Sequence, residues 1–131
     1  MFTIFEKILI GHLIGDYLFQ PKKMAILKAT KGLTGLGWCV AHCILYTFII
    51  CLCTSTTDFL KVALIFLSHF PIDRWSLAKG WLKIIKGRDV MKAYESKEKF
   101  HEVDLVFSGL VYVIVDNTLH MILMMVIFRY C

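Results

Sequence analysis

Residues 12–20 read HLIGDYLFQ, a histidine and an aspartate four apart inside an apolar run. At that spacing two helical side chains share one face, one turn apart. The pair belongs either to the wet side of a surface helix or to a polar site inside a membrane helix. The rest of the chain decides between them.

The chain has 131 residues, enough for one domain, and 58% of them are hydrophobic. Its mean hydropathy of +0.68 lies far above that of an ordinary soluble protein. Four apolar stretches run over about 2–19, 33–53, 59–77 and 103–128. Each approaches the ~20 residues that cross a bilayer. The first is the shortest and most polar, so a cleaved leader is its rival reading. Glu6 beside Lys7 and the lack of a small-residue cleavage site favour a span. The expected architecture is all-α: a single domain, 1–131, forming a polytopic bundle of four transmembrane helices with one amphipathic, polar cytoplasmic loop.

Charge sets the expected topology. Lys22, Lys23, Lys28 and Lys31 follow the first stretch; Lys79, Lys83, Lys86, Arg88, Lys92, Lys97 and Lys99 separate the third from the fourth. The short link near Asp58 offers Lys61, and the tail Arg129. With four spans, both basic segments fall on one side. The positive-inside rule makes that side cytoplasmic and puts both termini outside. The net charge of +5 then reads as topology and contact with membrane lipids, and no basic–aromatic pattern suggests nucleic acid. In the long basic segment, WLKIIK (81–86) suits an interfacial amphipathic turn, with Trp75 and Trp81 at headgroup level. SKEKFHEVD (96–104) is expected to extend the last span as a solvated helix capped by Ser96, with His101 at the surface.

The apolar stretches hold an unusual polar set: His12 and Asp16, His42, His69 and Asp73, and Asp116 and His120. Three stretches thus carry a His–Asp pair at spacing four, the last in reversed order. A charged Asp at a span's centre costs ~2.5–3.5 kcal/mol on insertion scales. Counting ~1.5 Å per residue brings these groups to one level in the cytoplasmic half of the bilayer. Four imidazoles and three carboxylates at one level suit a divalent metal, zinc first, manganese or iron next, whose charge offsets the carboxylates. Seven candidate ligands exceed one tetrahedral ion, so some orient others or two ions bind. The five cysteines, four of them in the second stretch with no C-x-x-C, read as packing. So do Met121, Met124 and Met125, and the small-xxx-small GHLIG (11–15).

These motifs together resemble the domain of unknown function 3307 family, small polytopic proteins of bacteria and phages. The resemblance runs through HLIGDYLFQ, Lys28, His42 followed by Tyr46, SHFPIDRW (68–75) and DNTLH (116–120). The family often has Gln where this chain has Asn117, an amide that keeps the hydrogen-bonding capacity. A more distant similarity to predicted membrane-bound metal-dependent hydrolases implies a hydrolase acting on a lipid or another membrane-associated ester.

On that reading the His and Asp residues hold the metal, and Asp16, Asp73 or Asp116 serves as general base toward a metal-bound water. Gln20, Lys28 and Asn117 are the candidates to meet substrate, with Gln20 alternatively meeting a ligand, and Lys28, Lys22 and Lys23 either face a phosphate headgroup or serve only as topology signals. The alternative is a non-enzymatic protein of the bacterial inner membrane, or of a phage, that handles protons or cations or ties helices together structurally. The nearly wholly apolar TFIICLC (47–53) and MILMMVIF (121–128) weigh against a through-path. The oligomeric state, a homo-oligomer included, is open.

Overall fold

A computed structural model describes residues 1–131. It is all-α, with seven α-helices and one π-helical turn. Helix α1 (Ile4–Leu13) opens with a reciprocal cap: Thr3 Oγ1 accepts from the Glu6 amide, and the Thr3 amide donates to Glu6 Oε2 at 2.6 Å. The π-helical turn, Ile14–Leu18, continues α1 without a break. Pro21 then starts a short α2 (Lys22–Leu27). Helix α3 (Gly32–Thr54) ends at Ser55, whose φ of 57° is left-handed and stops the helix. Asp58 caps α4 (Phe59–Arg74) by accepting from the Leu60 and Lys61 amides. Helices α5 (Leu77–Ile85) and α6 (Val90–Glu95) lead into α7 (His101–Tyr130).

Four of these helices close a ring: α1 packs on α3, α3 on α4, α4 on α7, and α7 on α1. Neighbours run antiparallel, as the pairings of Gly11 with Ile50 and Gly15 with Tyr46 show for α1 and α3. The approach is close. A Cβ on Gly15 would lie 2.9 Å from Tyr46 Cδ2, and one on Gly11 3.0 Å from Ile50 Cδ1. GHLIG is therefore a packing face, as its spacing suggested. One end of the ring is filled by Ile8, Ile50, Ile65, Met124 and Ile127, with Tyr46 above them.

The boundaries depart from expectation in three places. The span expected over 59–77 stops at Arg74, and Ser76 with a φ of 47° separates it from α5. The expected polar loop instead contains two helices, α5 and α6, both packed on α7. Ser96 does not cap α7: its hydroxyl accepts from the Glu98 amide in a local turn, and α7 starts at His101 behind Phe100 in left-handed geometry. His101 turns its Nδ1 to the Glu98 carbonyl and remains peripheral.

Two helices, α3 with 23 residues and α7 with 30, are long and apolar enough to cross a membrane. The other two ring members are shorter, α4 with 16 residues and α1 with ten before its π turn. At ~1.5 Å per residue α7 spans ~45 Å, more than the ~30 Å hydrocarbon core, and its first turns lie against α5 and α6.

Candidate metal centre

The polar residues of the apolar stretches meet above the apolar plug. Asp16 comes from the π turn, His42 from α3, and His69 and Asp73 from the last turns of α4. His42 Nε2 lies 3.1 Å from Asp16 Oδ1, 3.0 Å from Asp73 Oδ2 and 2.9 Å from His69 Nε2. His69 Nε2 lies 3.0 Å from Asp73 Oδ2 and 3.8 Å from Asp16 Oδ1. Both imidazoles are fully buried, and the two carboxylate side chains are 10% and 3% exposed.

The directions of these groups matter as much as their distances. The side-chain hydrogen bond to Asp73 comes from Lys28, whose Nζ is 2.8 Å from Oδ2, and not from either imidazole. Asp16 Oδ1 is buried and receives no hydrogen bond although His42 Nε2 is near. One proton can join the two Nε2 atoms, but it leaves Asp16 Oδ1 unsatisfied. His69 Nδ1 and His120 Nε2 are buried without partners as well. Such an atom costs ~1–3 kcal/mol. Of the three, Asp16 Oδ1 belongs to this group, His69 Nδ1 is the ring nitrogen opposite the one that faces it, and His120 belongs to a neighbouring group. Asp16, His42 and His69 form one group able to hold an ion, and Asp73 Oδ2 adjoins it at 3.0 Å from each Nε2. A tetrahedral ion with bonds of ~2.0–2.1 Å holds its ligand atoms ~3.3 Å apart, within the 2.9–3.8 Å that separate Asp16 Oδ1, His42 Nε2 and His69 Nε2.

A second group adjoins the first. His12 Nδ1 is 3.3 Å from Asp16 Oδ2 and 3.1 Å from the Tyr46 hydroxyl, and its ring lies 5.3 Å from that of His120. His12, Asp16 and His120 each offer a ligand atom within 4.8 Å of the others. Tyr46 stands between the groups, its ring stacked on His69 at 3.7 Å.

A family model described as protein of unknown function (DUF3307) matches residues 4–131. The chain belongs to the DUF3307 family. No curated protein and no solved structure matches it.

In this DUF3307 protein Gln20, Asn117 and Lys28 each contact a ligand candidate. The Gln20 amide nitrogen lies 2.8 Å from Nδ1 of His42 and 3.1 Å from Nε2. Asn117 Oδ1 accepts from His12 Nε2 at 2.6 Å. Lys28 is paired with Asp73. Asp116 is the sequence candidate that stays outside the groups. Its carboxylate Oδ2 is 3.8 Å from His120 Nδ1, while its backbone carbonyl accepts from that nitrogen at 2.8 Å. Conversely, Cys43, read as packing, is fully buried within reach of His69 and Asp73 as a third group. It follows His42 and lies four residues after Cys39, so a buried Cys stripe was legible, but not its neighbours on α4. Tyr46 lay in the resembling motif, and its stacking role had no sequence signal.

Charge completes the description. Asp16 and Asp73 bring two carboxylates to the groups, and Lys28 supplies one positive charge on Asp73. Arg74 turns away to the Thr30 carbonyl. With neutral imidazoles the groups carry a net negative charge that a bound cation would offset.

Proposed function

We propose that this protein is an integral membrane metalloprotein whose ion is held by Asp16, His42, His69 and Asp73, and that the centre hydrolyses a lipid or another membrane-associated ester. The observation that carries the reading is the gathering of donor atoms from three segments of the ring: His42 Nε2 lies 2.9–3.1 Å from His69 Nε2, Asp73 Oδ2 and Asp16 Oδ1, His69 Nε2 lies 3.0 Å from Asp73 Oδ2 and 3.8 Å from Asp16 Oδ1, and Asp16 Oδ1 is buried without a hydrogen bond. Nitrogen and oxygen donors favour zinc, with manganese and iron next. For His42 to ligate through Nε2, its Nδ1 carries the proton and the Gln20 amide turns its oxygen to accept it, the usual support for a ligating histidine.

The membrane setting is supported by the outer surface of the ring. The exposed residues of α3 include Leu36, Ile44, Phe48 and Leu52; those of α7 include Leu110, Ile114, Ile122 and Val126. Ile10 and Leu13 of α1 and Leu60 and Leu67 of α4 continue the same surface. So large an apolar surface matches lipid rather than water. The shorter α1 and α4 then complete a bundle of four membrane helices in one domain, with the lysine-rich segments at the cytoplasmic face of a bacterial cell membrane. Lys28, on Asp73 at the edge of the site, is suited to a phosphate group of the substrate. Asp116, near His120 but outside the ligand groups, is the carboxylate available as general base. The apolar plug of Ile8, Ile50, Ile65, Met124 and Ile127 closes one side of the site, which favours a centre reached from the basic side over a proton or cation path through the protein.

The test is elemental analysis of protein purified from membranes, paired with hydrolysis of bis(p-nitrophenyl) phosphate in mixed micelles. Wild type carries stoichiometric metal and turns the ester over until chelated. Asp73→Ala, at unchanged helix content, loses metal and activity together. Folded wild type without metal would refute the metal centre; metal without turnover would refute the hydrolase.

A further inference from the structure

We infer a second cation position beside the first, held by His12 Nδ1, Asp16 Oδ2 and His120 Nε2, with the Asp16 carboxylate bridging the two ions. It takes a divalent transition metal, and it rests on reading the first position as a metal site.

The protonation of both histidines is fixed by atoms that can only accept. Asn117 Oδ1 lies 2.6 Å from His12 Nε2. The amide cannot be turned over, because its nitrogen already donates to the Val113 carbonyl at 2.6 Å and the Tyr17 hydroxyl at 2.5 Å. Nε2 of His12 therefore carries the proton and Nδ1 a lone pair. That lone pair faces a carboxylate oxygen 3.3 Å away, Asp16 Oδ2, another acceptor. Two acceptors at this distance repel unless a positive charge lies with them. The Tyr46 hydroxyl, 3.1 Å from the same nitrogen, competes for that lone pair and must turn its proton away when His12 ligates.

His120 repeats the pattern. Its Nδ1 faces the Asp116 carbonyl at 2.8 Å and so carries the proton. Its Nε2 is then a lone pair, in a residue 1% exposed, with no partner. The ligand atoms of the three residues lie within 4.8 Å of one another. Both tautomers are thus set by acceptors on the other ring nitrogen, as they are around bound metals; His120 Nε2 is free, and His12 Nδ1 becomes so when the Tyr46 hydroxyl turns away.

The place beside the first position also fits. The two Asp16 oxygens divide between the groups, Oδ1 toward His42 and Oδ2 toward His12. The His69 and His120 rings, one from each group, are 4.2 Å apart. Paired ions in hydrolytic centres sit ~3.5–4 Å apart. The first position has four protein donors and the second three, so the second keeps the open coordination that a reacting water needs.

The test is equilibrium dialysis of chelator-stripped, folded protein against Zn²⁺, with elemental analysis of wild type and His120→Gln. Wild type is expected to hold two zinc ions per chain and His120→Gln one, at equal helix content. Independently of any variant, wild type loaded with Mn²⁺ is expected to give the spin-coupled electron paramagnetic resonance spectrum of a manganese pair. One zinc per chain with an uncoupled manganese spectrum would overturn the second position and leave the first standing. No zinc would overturn the metal reading as a whole. Two zinc ions retained in His120→Gln would overturn the assignment of His120.

Discussion

Gln20 shows how much of the site depends on side chains that are not ligands. It lies beyond the end of the π turn, yet its amide meets both ring nitrogens of His42. If it orients His42 for a metal, Gln20→Leu weakens zinc binding by ~10–100-fold, while Gln20→Glu, which still accepts from Nδ1, retains it. Competition with a fluorescent chelator measures both. Equal affinity in wild type and Gln20→Leu would show that the amide does not support the ligand. Gly15 shows the same precision in packing. A methyl there meets the Tyr46 ring, which in turn stacks on His69. Gly15→Ala is expected to lose ~1–3 kcal/mol by overpacking, whereas Gly37→Ala, with nothing within 4 Å, is neutral or stabilising. Denaturant unfolding in detergent separates them; equal stability would contradict the close approach. The ligand candidates were legible because charged residues are conspicuous in apolar runs. Their partners were legible only in part: Gln20 and Asn117 stood out as hydrogen-bonding amides, but not which histidine each meets, and Cys43 carried no signal of the residues a distant helix brings to it.

At the scale of elements, α3 was readable almost to the residue, expected over 33–53 and found as Gly32–Thr54, because an uninterrupted apolar run ends at turn residues. The π turn was not readable. One extra residue in a turn rotates the downstream chain by ~100°, and nothing in IGDYL announces it. It separates Gln20 from the simple i, i+4 continuation of His12 and Asp16. The basic segment misled in the opposite way: its charges suggested loop, while Asp89 caps α6 and the apolar residues Ala78 and Leu82 of α5 are buried. On the other side of α5, Trp81 is 48% exposed and Ile84 and Ile85 are open, with Trp75 just before the helix. That face suits the headgroup region of a membrane. In a Trp38→Phe variant in vesicles, the fluorescence of Trp75 and Trp81 is expected to be quenched most by lipids brominated near the headgroup. Strongest quenching by bromines near the bilayer centre, or none, would remove α5 from the interface.

The whole molecule joins three conditions that conflict in water and agree in a bilayer. Its ring of helices is apolar outside, its one end is apolar inside, and its middle gathers buried carboxylates and imidazoles with a single lysine among them. Left bare, that middle would hold uncompensated charge at high cost in a low-dielectric setting. A bound cation would offset that cost, and nitrogen and oxygen donors would favour zinc, manganese or iron. The X-ray absorption spectrum of the metal in purified protein tests this most directly. The account predicts a shell of nitrogen and oxygen at ~2.0–2.1 Å with the outer scattering of imidazole and no sulfur. A sulfur at ~2.3 Å would move the ion to Cys43, His69 and Asp73, and a folded protein that binds no metal would contradict the account outright.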